Sequence, residues 1–180
     1  VSRFVNSNAS GKVGPGDVLW LLAGFMTYVR VKRWPKFLKL VKLRRNPGVK
    51  AAILDMILLE VFVTLQRKHK PDYSHVFFNG GAHVQHHYMF NSSQYQGDFK
   101  NPQWYCNEIW DPILMMLETY DVIVGDLLQS GERVLGVTGL HQIPHEEQTF
   151  YWRPVAHKAF LLEAGIQGDF DVVPRMSRDF

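Results

Sequence analysis

Segments with helical periodicity alternate with short β-type runs along this chain, and that alternation restricts the fold more than any other sequence feature. The β-type runs are rich in Val, Leu and Phe and are bounded by Gly, Pro or Asn, as strands are; they are residues 74–79, 133–138 and 170–173. The segments beside them have the length and apolar spacing of helices; they are residues 49–68, 113–129 and 154–164. Strands that alternate with helices usually pair in parallel. We therefore predict an α/β fold, a three-layer sandwich with a mainly parallel sheet.

The length of 180 residues and the hydrophobic content of 46% allow one sizeable core but not two comfortable ones. We predict that residues 1–48 form a helical basic segment, as a lid or an insertion. Residues 49–180 then form the α/β core, which we expect to be part of a larger domain. The most apolar stretch, residues 18–29, is shorter than the roughly 20 residues of a membrane-spanning helix. It predicts a buried helix, and we expect no transmembrane segment.

Five of the eight histidines lie in two loops that directly follow predicted strands. In open α/β sheets, ligands bind outside the carboxyl ends of the strands, so both loops are expected at one rim. Imidazoles and carboxylates are common zinc ligands, and a helix over residues 83–88 would place His83 and His87 on one face. We predict a divalent metal site, with zinc the favoured ion, whose ligands are His83, His87, His141 and His145. Asn79, His86 and Glu146 are its expected neighbours. Alternatively, these histidines only hydrogen-bond backbone or water.

These two loops resemble motifs of the alkaline phosphatase superfamily, especially its type I phosphodiesterase and nucleotide pyrophosphatase branch. That family has an Asp-x-x-Gly-His motif after one core strand and a Ser-Asp-His-Gly motif after a later one. Here the run from Asn79 to His83 matches the first spacing, and the run from Gly139 to Gln142 lies where the second is expected. The resemblance covers about residues 49–175 and implies an alkaline-phosphatase-like sandwich.

The same resemblance implies hydrolysis or transfer at a phosphate or sulfate ester with a pair of metal ions, usually zinc. Both family aspartates are altered, because Asn79 and Leu140 stand at their positions. Only His83 and His141 carry over directly. The family's Ser or Thr nucleophile lies on an earlier strand-to-helix turn that this sequence does not show. We therefore assign no catalytic residue, and we expect this piece of chain alone not to turn over a substrate.

Nine basic residues and no acidic residue lie between Arg30 and Lys50. Such a local positive field favours an anionic ligand. We predict that Arg33, Lys36 and Lys39 bind a phosphate-type or other anionic small molecule. The alternative is a solvated face of a helical lid. No recognisable nucleic-acid-binding module is present in the sequence.

The loop at residues 91–110 is rich in aromatic residues, among them Trp104 and Tyr105. Aromatic side chains near a site can stack on a base or a sugar, and they can equally belong to the core. The only cysteine, Cys106, excludes an internal disulfide and a multi-cysteine zinc site.

Three functions are compatible with these features. The first is a metal-dependent hydrolase-like domain that acts on phosphate-type esters. The second is a non-catalytic α/β domain that binds an anionic ligand or a protein partner. The third is a different metal-binding enzyme built on the four predicted ligands. The surviving histidines favour the first function, and the altered aspartates favour the second.

Overall fold

The computed structural model describes residues 14–138, 141, 143, 145 and 154–172 of the chain. Over these residues the protein is helical and contains no β-strand. The α-helices are α1 (Pro15–Tyr28), α2 (Trp34–Lys42), α3 (Val49–His69), α4 (Gly80–Tyr88), α5 (Pro112–Leu128) and α6 (His157–Glu163). Single 3-10 turns lie at Val31–Arg33 and Met89–Asn91. The predicted α/β sandwich with its alkaline-phosphatase-like parallel sheet is therefore wrong.

The first predicted strand shows why the pattern misled. Residues 73–79 lie outside any helix or strand, and their exposure alternates: His75 and Phe77 are exposed while Val76 and Phe78 are half-buried. The Phe78 ring lies 6.3 Å from that of Tyr120, between centroids. The segment thus has the two-residue period of a strand, but no described neighbour pairs with its backbone. Residues 133–138 are exposed and lie outside any strand, as do residues 170–172, while residue 173 lies outside the described part. A high β-propensity shows that the side chains suit a pleated sheet, but it does not identify a second strand with which the segment would pair.

The helical part of the sequence pattern agrees with the structure. The segments predicted at residues 49–68 and 113–129 correspond to α3 and α5. The prediction that residues 18–29 form a buried helix is wrong. The helix exists, but Trp20 is 70% exposed and Leu19 is 66% exposed. No helix in the described part is long and apolar enough to cross a membrane, in agreement with the absence of a predicted transmembrane segment.

The chain forms two compact units. The smaller combines residues 1–23 with 147–180, and within its described part Lys158 lies over the ring of Phe170. The larger unit, residues 24–146, has a core of α3, α4 and α5 packed on one another, with α2 against α3. Its most buried apolar side chains are Met56, Leu59, Val84 and Ile123. This packing brings the middle of α3 and the middle of α5 to the start of α4.

Local chemistry sets several helix ends. Asp111 caps α5, because its Oδ1 accepts a hydrogen bond of 2.9 Å from the Leu114 N–H, and Pro112 follows as the first helical residue. Lys70 ends α3 in the left-handed region, with φ 45°. Asn46 bonds its Oδ1 to the Gly48 N–H at 3.0 Å and closes the turn before α3. A Cβ on Gly48 would lie 3.0 Å from Met115 Cε and 3.0 Å from Pro112 Cβ, so this turn packs closely on α5.

Candidate functional site

The nine-residue helix α4 carries His83, His86 and His87, and its first turn is held by two side chains from other helices. Asn79 stands at the N-cap without a side-chain hydrogen bond to the helix. Instead, Asp55 Oδ2 of α3 accepts a 2.9 Å hydrogen bond from the Gly80 N–H. The Tyr120 hydroxyl of α5 accepts a 2.7 Å hydrogen bond from the Gly81 N–H. The helix start is therefore capped by its neighbours rather than by its own sequence.

The two capping groups are also bonded to each other, since the Tyr120 hydroxyl donates to Asp55 Oδ2 at 3.1 Å. Gly80 and Gly81 make this close approach possible. A Cβ on Gly80 would lie 2.5 Å from Asp55 Oδ2, and a Cβ on Gly81 would lie 2.7 Å from Tyr120 Cε2. Glycine is thus required at both positions by the caps themselves.

Burial sets the ionisation of this capping pair. It raises the pKa of Asp55 against the hydrogen bonds from Tyr120 and Gly80, which lower it. Burial also raises the pKa of Tyr120 to about 12, helped by the Asp55 carboxylate and opposed by the Gly81 hydrogen bond. Tyr120 is therefore a fixed hydroxyl at neutral pH. A carboxyl group at a helix N-terminus also interacts favourably with the helix dipole.

One turn beyond these caps, α4 presents two imidazoles to solvent. The rings of His83 and His87 lie 4.7 Å apart between centroids, as expected for positions i and i+4 of a helix. His87 Nδ1 lies 2.5 Å from the Tyr105 hydroxyl. When Nδ1–H donates to Tyr105, the Nε2 atom of His87 keeps its lone pair, and this is the tautomer that an Nε2 metal ligand needs.

The loop that carries Tyr105 is fastened to the end of α4. Asn101 Nδ2 donates to the His87 carbonyl at 3.1 Å and to Asn91 Oδ1 at 2.7 Å. Asn91 Nδ2 in turn donates to the Cys106 carbonyl at 3.3 Å. These contacts hold Tyr105 beside His87, and its ring also lies 5.6 Å from that of Tyr88.

The surroundings favour the neutral forms of His87, Tyr105 and Cys106. Partial burial lowers the pKa of His87, and the nearby His83 and His86 lower it further. Burial raises the pKa of Tyr105, with smaller contributions from Tyr88 and Cys106. Burial also raises the pKa of the Cys106 thiol, assisted by Asp111. Cys106 is therefore a protonated, buried thiol and lacks the environment of a nucleophile.

The structure brings together only part of the predicted metal site. His83 and His87 are adjacent, and the helix that the prediction required is present. His141 and His145 are exposed. In the described part of the chain, no three His, Cys, Asp or Glu side chains group closely enough to hold a metal ion. Asn79 is exposed at the N-cap of α4. Glu146 lies outside the described residues, so the four-histidine site remains a prediction.

His83 and His87 match part of the metal site that the resemblance implies. Two imidazoles one helical turn apart, one of them oriented by a hydroxyl, fit two positions of a zinc ion. The remaining positions need ligands or water from beyond this pair.

The predicted anion-binding residues differ in whether they form ion pairs with carboxylates of this chain. Arg33 is 13% exposed and pairs with both Glu60 and Asp126. Lys36 Nζ lies 3.8 Å from Asp126 Oδ1. Lys39 is exposed. The positive charge of Arg33 is thus already compensated by carboxylates of α3 and α5.

Glu60 organises this charged cluster from a fully buried position. Arg30 donates to it through Nε at 2.8 Å, through Nη2 at 2.6 Å and through its backbone N–H at 3.2 Å. Burial by itself would raise the pKa of Glu60, but the hydrogen bonds and charges of Arg30 and Arg33 outweigh it and lower the pKa. The cluster joins the segment before α2 to α3.

Comparison of the chain with protein-family models, with curated proteins and with solved structures finds no match in any of the three. The likeness of the Asn79–His83 motif to the alkaline phosphatase superfamily therefore rests on the motif alone.

Sequence reasoning missed the residues that position the histidines. Asp55 and Glu60 are the acids in the otherwise apolar middle of α3, and an acid there is a signal of a buried polar contact. Tyr120 and Tyr105 carry no such signal, because their partners lie 39 and 18 residues away in sequence.

Proposed function

We propose that this chain is a helical domain that binds a divalent metal ion, zinc by preference, at His83 and His87 and thereby acts on a phosphate-type ester. The adjacency of the two imidazoles on one exposed face of α4 carries the proposal. Their support by Tyr105 and by the Asp55–Tyr120 caps strengthens it, because a ligand pair binds better when its geometry is fixed in advance. The ester as ligand rests on the motif resemblance around His83.

A zinc ion held by His83 and His87 would supply Lewis-acid chemistry for a phosphoryl group. The roles of this chain's own residues are simpler. His83 and His87 would supply imidazole nitrogens as ligands, and Tyr105 orients the His87 ring. Both rings are open to solvent, so an ester can approach without rearrangement of the helix.

Zinc binding is tested by isothermal titration calorimetry and by elemental analysis of protein purified without chelator. We expect stoichiometric zinc in the wild type and its loss in the double variant His83→Ala/His87→Ala. The matched control is His69→Ala/His75→Ala, which removes two exposed histidines away from α4 and should leave zinc binding unchanged. Tyr105→Phe should weaken binding about tenfold through the His87 ring. Equal binding by the wild type and the α4 double variant would refute the proposal.

A second measurement separates action on the ester from simple binding. The wild type is assayed against nitrophenyl phosphate mono- and diesters with added zinc. Hydrolysis that requires both zinc and His83 supports the hydrolase-like function, and it would refute the expectation that this chain alone does not turn over a substrate. Zinc-dependent binding of the ester without hydrolysis supports the alternative, a non-catalytic domain that binds an anionic ligand.

A further inference from the structure

Helix α2 and the turn after it present exposed aliphatic side chains beside exposed cations. We name this surface the basic–apolar face; it consists of Leu38, Lys39, Val41, Lys42, Arg44 and Arg45. Leu38 is 60% exposed and Val41 is 49% exposed, although Phe37 and Leu40 of the same helix are buried. The helix therefore has one apolar side in the core and further apolar side chains directed at solvent.

The cations of this face differ from Arg30, Arg33 and Lys36 of the same segment. Glu60 and Asp126 pair with Arg30, Arg33 and Lys36. Within the described residues, the four cations of the basic–apolar face make no ion pair with a carboxylate, and all four are exposed. No acidic residue occurs between Arg30 and Lys50 to compensate them. Arg30, Arg33 and Lys36 thus have carboxylate partners, whereas the cations of the basic–apolar face have none among the described residues.

We propose that the basic–apolar face docks on the surface of an anionic lipid bilayer. Charge complementarity selects an anionic partner, and each Lys or Arg near such a surface adds to the attraction. The aliphatic side chains select a bilayer among anionic partners, because Leu and Val can enter the boundary between headgroups and acyl chains. Single-stranded nucleic acid is bound by aromatic stacking platforms, and this face contains no aromatic residue.

The proposal is tested by co-sedimentation of the full chain with vesicles. Vesicles of phosphatidylcholine with about 30% phosphatidylserine are compared with vesicles of phosphatidylcholine alone, at fixed ionic strength. We expect binding to the anionic vesicles at least about tenfold stronger. Lys39→Ala/Lys42→Ala should weaken that binding about thirtyfold. Leu38→Ser/Val41→Ser should weaken it about tenfold.

Matched controls alter other surfaces of the larger unit. Arg67→Ala/Lys68→Ala removes two exposed cations from the end of α3, and Leu117→Ser/Val124→Ser removes two exposed aliphatic side chains from α5. Both should bind anionic vesicles as the wild type does. Far-UV circular dichroism checks that every variant keeps its helices. In addition, Leu38→Trp should shift its fluorescence emission to the blue when anionic vesicles are added.

A parallel arm uses heparin, a soluble polyanion without an apolar phase. Leu38→Ser/Val41→Ser should leave heparin binding unchanged while it weakens vesicle binding. Equal binding to both kinds of vesicle would overturn the proposal. So would vesicle binding that is insensitive to the loss of Leu38 and Val41, because a soluble anion would then explain the face.

Discussion

Replacing Asp55 with Ala tests whether the start of α4 depends on caps supplied by other helices. The substitution removes the acceptor for the Gly80 N–H and for the Tyr120 hydroxyl. Two hydrogen bonds are each worth about 1 kcal/mol net, and a buried amide left without a partner costs about 1–3 kcal/mol. Removal of a buried carboxylate offsets part of this loss, since burial raises the pKa of Asp55 and so disfavours its charge. We expect a net decrease of about 2–3 kcal/mol in the free energy of unfolding at pH 7.

The measurement is urea denaturation followed by circular dichroism, with the slope on urea concentration compared between variants. Tyr120→Phe removes the donor to Asp55 and the acceptor for the Gly81 N–H, and it should cost about 1–2 kcal/mol. Because the two variants lose one shared hydrogen bond, the double variant should cost about 1 kcal/mol less than their sum. Asp121→Ala, at an exposed carboxylate of α5, should stay within about 0.5 kcal/mol of the wild type.

Asp55→Asn adds a test of charge. The amide oxygen can accept both hydrogen bonds, so the cost at pH 7 should be under about 1 kcal/mol. A carboxyl whose folded pKa is raised stabilises the fold below its unfolded pKa, and this contribution is lost as the pH rises through the folded value. The wild type should therefore lose stability relative to Asp55→Asn as the pH rises from about 4.

A cost of Asp55→Ala below about 0.5 kcal/mol, or full additivity with Tyr120→Phe, would contradict the cross-helix cap.

Other substitutions test the packing and the charged cluster. Gly80→Ala should destabilise the chain by about 1–3 kcal/mol, because its Cβ would lie 2.5 Å from Asp55 Oδ2. Gly125→Ala, where no atom lies within 4 Å of a built Cβ, should instead stabilise α5 by about 0.5–1 kcal/mol in the same denaturation assay. Glu60→Ala should cost about 3 kcal/mol, since it leaves paired arginines without their buried carboxylate. Because the folded pKa of Glu60 is lowered, its contribution is present above the unfolded value and disappears as the pH falls through the folded value. Thermal unfolding of the wild type should therefore be more sensitive to acid than that of Glu60→Ala, and equal sensitivity would count against the cluster.

The sequence pattern predicted the helices well because apolar spacing directly encodes which side of a helix is buried. The boundaries of α3 and α5 follow from such spacing and from Pro112 at a helix start. The strands failed for a different reason. Residues 73–79 have the alternation of a strand, but strand pairing is a long-range property, and a single segment does not encode its partner. The parallel sheet, and the shared rim that was to unite His83 with His141, depended on that pairing.

The sequence predicted those parts of the site that depend on the geometry of a single helix. The pairing of His83 with His87 follows from helical spacing, and the structure places the two rings side by side. The contact of Tyr105 with His87 depends on how the loop at residues 91–110 folds back onto α4, through Asn91 and Asn101. No local sequence pattern predicts that this loop packs against α4. The internal pairing of Arg33 was missed because its partners, Glu60 and Asp126, lie on two other helices.

The cross-helix caps on α4 have a thermodynamic consequence. A helix of nine residues has little stability as an isolated peptide in water, and Asn79 adds no side-chain cap to this one. The ordered histidine pair is therefore a property of the assembled α3–α4–α5 core rather than of the sequence from Asn79 to Asn91. Any ligand that requires both imidazoles in register binds the folded chain selectively, so its binding energy adds to the free energy of unfolding. By the same reciprocity, a core substitution far from α4 weakens the binding of such a ligand whenever it destabilises the first turn of α4.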